Sequence, residues 1–166
     1  MGSSLPIDGE VFSFWGARYL IAPSTIPSCG RGLFIAQDLH VPPHSEVTLM
    51  SFCGPIYNWG PWHQLVHYLC SMTTYGLCLN AASLIERGIT HNEGEQNYID
   101  GRPYNQGNIA GLINSSRGRH GWTNCTFVEC KNGHKTNYMS RDVPRYIVMN
   151  AIRTLRVGEE LLVIYG

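Results

Sequence analysis

Two glycines flank an arginine in Cys29-Gly30-Arg31-Gly32-Leu33-Phe34. Residues without a Cβ leave backbone amides and carbonyls unshielded, so a ligand can lie directly on the main chain. The same composition also suits a plain hairpin turn. A second polar candidate is Asn114. It ends the apolar run Ile109-Ala110-Gly111-Leu112-Ile113, which follows Gly107-Asn108 and suits one or two helical turns. An Asn there either caps the helix or is delivered by it to a site. Met50-Ser51-Phe52-Cys53-Gly54 reads as a strand running into a glycine. Residues 151–166 read as two strands around the turn Val157-Gly158-Glu159.

The six cysteines, Cys29, Cys53, Cys70, Cys78, Cys125 and Cys130, contain no CxxC pair. Structural zinc usually takes tight pairs, so no metal site is expected. The N-terminus lacks the basic-then-apolar order of a signal peptide, which points to free thiols in a reducing compartment. Asn114-Ser115-Ser116 and Asn124-Cys125-Thr126 match the glycosylation acceptor pattern, which is idle without secretion. The histidines are scattered, and none is assigned a catalytic role.

The elements that must position these residues are short. Strands are expected around Val11–Trp15 and over Arg18–Ala22, Leu33–Ala36 and Glu46–Phe52. Further strands are expected at Tyr75–Leu79, Tyr98–Asp100, Thr123–Glu129, Tyr146–Ile152 and Leu161–Tyr165. Trp62, Leu65, Val66 and Leu69 recur at helical spacing behind Pro61. Pro42-Pro43 cannot continue a sheet interior. The expectation is one mainly β domain over residues 17–166, preceded by a leader at 1–16.

At 166 residues the chain suffices for one domain with its own core. Basic and acidic residues balance at twelve each, which argues against a strong nucleic-acid-binding surface. No apolar run approaches a membrane span, so no membrane partner is expected.

In order and spacing, the four segments described above resemble the SET-domain family of protein lysine methyltransferases, over about residues 17–166. That family shows Gly-x-Gly-Leu-Phe, then Tyr-x-Gly, Gly-Asn, Asn-His-Ser and Asn-Cys, and closes on Gly-Glu-Glu-Leu-x-x-x-Tyr-Gly. The last pattern is the most specific, and Gly158-Glu159-Glu160-Leu161 through Tyr165-Gly166 matches it. The ending is also similar to the PR-domain branch.

The resemblance implies small curled β-sheets, few short helices and a C-terminal pseudoknot. It implies S-adenosyl-L-methionine as cofactor, contacted by Cys29, Gly30, Arg31 and Gly32 on one side and by Asn114 and Ser115 on the other. Tyr165 would be the catalytic tyrosine. Phe52, Phe127 and Val163 would line the lysine channel. None carries a hydroxyl and Val163 is small, so the implied product is di- or trimethyl-lysine. The implied substrate is a histone tail, histone three favoured, or another lysine-containing protein. Glu93 and Glu95 are able to pair with a basic tail, or lie in a solvated loop. The implied location is nuclear, at chromatin, in a eukaryote, and otherwise cytoplasmic.

The chain departs from the pattern at Phe52, where the family has Tyr, and at Ser115, where it has His. The stretch between Ser116 and Asn124 is also longer. Many members of the family continue past the closing motif into a post-SET segment that covers the site, so the resemblance implies a lid from a further C-terminal segment or a partner, or else an open site. These departures feed an alternative, a catalytically degenerate SET or PR-like module that binds a peptide or partner.

Overall fold

The computed structural model describes residues 6–52, 56–58, 76–79, 97–100, 108–116, 118–129 and 147–164. These residues are mainly β, with short 3-10 turns as their helical content. The helix expected at 61–70 lies outside them.

Strands β1 (Val11–Phe14), β2 (Ala17–Pro23) and β3 (Arg31–Ile35) form an antiparallel meander. Trp15 and Gly16 both have positive φ, 52° and 78°, in the two-residue loop between Phe14 and Ala17. A turn of that hand matches the twist of its flanking strands. Along β2, Ala17, Tyr19 and Ile21 are buried while Arg18 is exposed, the period of a strand with one core face. The β1–β2 hairpin crosses the boundary expected between residues 16 and 17, and Phe12 and Phe14 pack against the core.

A second sheet contains β4 (Val47–Phe52), β8 (Asn114–Ser115), β9 (Cys125–Glu129), β10 (Ile147–Ala151) and β11 (Leu162–Val163). Its order is β4-β10-β9-β11-β8. Every residue of β10 is buried, including polar Asn150, which accepts from Thr48 Oγ1 at 2.9 Å. The third sheet pairs β5 (Ile56–Asn58), β7 (Asn97–Asp100) and β6 (Gly76–Leu79), with β7 central and both pairings antiparallel.

The turn at Ile109–Leu112 is 3-10 and fully buried. It ends at Ile113, whose amide donates to the Ala110 carbonyl. Asn114 is therefore not a helix cap. It begins β8, because β11 offers a parallel partner from that residue onward: Leu162 lies opposite Asn114 and Val163 opposite Ser115. The sequence carries no sign of so short a strand.

The chain from Leu155 to Val163 joins the sheets. Leu155 and Leu39 exchange backbone hydrogen bonds at 2.9 Å, and Leu161 donates to the Leu33 carbonyl at 2.8 Å. Beyond that, β11 lies between β8 and β9 and runs parallel to both. The connection from β8 to β9 must therefore cross from one side of β11 to the other.

Candidate functional site

Residues 24–30 form the loop between β2 and β3, closed by the Ser24 amide donating to the Gly30 carbonyl at 2.8 Å. Ile26 is buried and anchors it. Ser28 and Gly30 have φ near +65°. A Cβ on Gly30 would meet nothing within 4 Å, so that glycine serves the conformation and leaves its backbone open. Cys29 is half-buried and free. The Arg31 guanidinium bonds Asp8 at 2.5 Å, so a residue before β1 reaches this turn.

Gly32 departs from the sequence reading. Open backbone is expected at both glycines, yet a Cβ on Gly32 would lie 2.9 Å from the carboxyl carbon of Glu160. That space belongs to a side chain of this protein, so the missing Cβ of Gly32 makes room for Glu160.

Glu160 is buried. Its Oε1 accepts from Ser24 Oγ at 2.6 Å and from Asn114 Nδ2 at 3.3 Å. Its Oε2 accepts from the Thr25 amide at 2.7 Å and from Thr25 Oγ1. Asn114 Nδ2 also donates to the Arg31 carbonyl at 2.9 Å. The glycine turn, β8 and the C-terminal segment thus meet at one cluster. Sequence reasoning missed Glu160, Ser24 and Thr25. A Glu beside a turn is ordinarily solvated, and only its burial marks it out.

Asn124, part of the Asn-Cys motif, has a role that the sequence did not assign. Its side chain accepts from the Leu162 amide and donates to the Glu160 carbonyl, both at 2.8 Å. Its neighbour Cys125 is a free, buried thiol, pushed up to about 12 by burial, with Arg153 and the Leu162 hydrogen bond opposing. Burial, with Cys125 nearby, also raises the Tyr19 phenol, whose hydroxyl donates to the Leu49 carbonyl at 3.4 Å. Neither group is poised for chemistry near neutral pH.

Phe52 and Phe127 meet edge to face at 5.7 Å between ring centres. Phe52 and Val163 belong to the core cluster, and Phe127 packs against it. Ser115 pairs with Val163. Tyr165 lies outside the described residues, two positions beyond Val163.

An open groove of about 360 Å³ is lined by Thr25, Trp122, Asn124, Arg153, Glu159 and Leu162, among others. Arg119 lies 4.7 Å over the Trp122 ring, and Arg153 pairs with Glu159 at 3.0 Å. The groove shares Glu160 with the cluster and takes in Asn124, Gly158 and Glu159 of the sequence motifs, but none of the residues given a cofactor, channel or catalytic role from sequence. Among the described residues no group of His, Cys, Asp or Glu could hold a metal ion. No described helix is long and apolar enough to cross a membrane.

The chain matches no protein-family model and no curated protein.

Proposed function

We propose that the chain is an S-adenosylmethionine-dependent protein lysine methyltransferase with a SET-type fold, acting on a histone tail or a similar basic segment. The ordered motifs are one support. The observation that carries the reading is the 2.9 Å hydrogen bond from Asn114 to the Arg31 carbonyl. It unites the glycine turn with the Asn-Ser segment, two motifs that are unrelated in a sequence read locally. The placement of β11 between β8 and β9 is what a C-terminal pseudoknot requires.

The residues fit the cofactor at the Gly30 face, where backbone is open, and not at the Gly32 face, which Glu160 fills. Cys29, Gly30 and the β8 backbone would hold it. When bound, it supplies an electrophilic methyl group on a sulfonium. The chain must then align a neutral lysine amine. Deprotonating a free lysine at pH 7 costs roughly 4 to 5 kcal/mol, and a dry channel lowers that cost. In this reading Tyr165 orients the amine through its hydroxyl, while Phe52 and Phe127 keep water out.

One observation favours the second reading, a binding module without chemistry. The Asn114 amide and the Gly32 face are both occupied within the protein.

Incubation with labelled cofactor and a panel of histones and histone peptides separates the two. The expected result is transfer ending in di- or trimethyl-lysine by mass spectrometry. Cofactor at 100 times its Kd should also raise stability by about 2.7 kcal/mol. Tyr165→Phe should keep binding and lose most turnover. A melt unmoved by saturating cofactor overturns the enzyme reading, and accumulation halting at one methyl group overturns the product assignment.

A further inference from the structure

Glu160 is a buried carboxylate whose hydrogen-bond partners, among the described residues, include no cation. Neutral donors approach both of its oxygens, and bonds to an ionised acceptor are stronger than neutral ones. These donors come from two places. Ser24 and Thr25 belong to the β2–β3 loop, and Asn114 opens β8. Glu160 itself stands two residues before β11. Ser24 Oγ in turn accepts from the Ile26 amide at 3.0 Å, so the network continues into the loop.

The donor pattern demands a carboxylate. A carboxamide of the same shape has one acceptor oxygen and one NH2 group. Whichever way it sits, the NH2 faces either the Thr25 amide or the Asn114 amide, donor against donor. An aspartate is one methylene shorter and cannot reach both sides from the same backbone. Gly32 supplies the space that the longer side chain needs.

We propose that Glu160 is a positioning residue, whose carboxylate sets the shape of the 24–30 loop and ties it to the seating of the C-terminal strand. The loop-holding role stands on the geometry alone, whereas its bearing on cofactor affinity rests on the function proposed above. The carboxylate bonds Ser24 and Thr25 of the loop and Asn114 of β8. It acts through the loop, and a displaced β11 would release that loop.

The test uses the full chain with Glu160→Gln, read by amide hydrogen exchange and by titration with S-adenosylhomocysteine. Local opening should speed exchange at Thr25 and Ile26 about 10-fold or more, with β4 and β10 amides unchanged. The Kd for S-adenosylhomocysteine should rise about 10-fold. Unaltered exchange at Thr25 and Ile26, or equal acceleration throughout the sheets, overturns the positioning role. Faster exchange in the loop with an unchanged Kd overturns its link to the cofactor. A wild-type chain that does not bind S-adenosylhomocysteine fails the proposed function, while the exchange data still decide the loop. Should Glu160→Gln not fold, Ser24→Ala with Thr25→Val removes both hydroxyl bonds from the loop side. That pair should also speed exchange at Thr25, and no change there overturns the proposal.

Discussion

At Gly30 the backbone sits at φ 64° with open space where a Cβ would go, whereas Gly32 faces the Glu160 carboxyl carbon at 2.9 Å. The two glycines should therefore respond differently to the same change. Gly30→Ala adds only left-handed backbone strain, about 1–2 kcal/mol. Gly32→Ala must shift a buried, hydrogen-bonded carboxylate, which costs about 3 kcal/mol or more. Urea midpoints at constant m-value measure both, and equal losses would refute the distinction. Nothing local separates the two glycines, since both read as turn residues. Asn114 is a clearer case. Its place at the end of an apolar run singles it out, but its partner, the Arg31 carbonyl, is chosen by long-range pairing.

Among the elements, β11 depends on a side chain as much as on strands. Asn124 gives the Leu162 amide an acceptor and the Glu160 carbonyl a donor, much as a neighbouring strand would. Asn124→Ala leaves both of these backbone groups without that partner. The expected loss is about 2–4 kcal/mol in chemical denaturation. Asn124→Asp should recover part of it, because the acceptor for Leu162 survives. A loss below about 1 kcal/mol for the alanine variant would mean that water replaces the side chain. The strand positions themselves follow from short apolar runs bounded by turn residues, as in β2, which stops at Pro23, and β3, which leaves the glycine turn. The two-residue β8 does not, because its extended conformation comes from the neighbour beside it.

Stability of the whole molecule should fall in alkali, and the sign follows from Cys125 and Tyr19. Burial pushes the Cys125 thiol up from its ordinary 9.0 to about 12 and raises the Tyr19 phenol as well. An acid whose folded pKa is raised keeps its proton in the native state and loses it on unfolding. Above the unfolded pKa the native state therefore binds more protons, and stability drops as pH rises. Stability from these groups should be level to about pH 8. Between pH 9 and 12 it should decline by up to about 1.4 kcal/mol per pH unit for Cys125, with Tyr19 adding above pH 10. Urea midpoints from pH 7.5 to 10.5 check this. Cys125→Ala should flatten the curve between pH 9 and 10, and an unchanged slope would assign the effect elsewhere.

Local pattern alone shows a mainly β chain of short strands, the turns between them and a helical turn before Asn114. Those properties are local, since alternation, glycine φ and proline all act within a few residues. The position of β11 between β8 and β9, the facing of Gly32 and Glu160 and the bond from Asn114 to Arg31 arise from long-range packing. Each joins residues far apart in the chain, and no local propensity encodes which partner a buried polar group will find. Burial turned Glu160 from one acid in a turn into the centre of the cluster, because a carboxylate removed from water must be satisfied by whatever the fold brings to it.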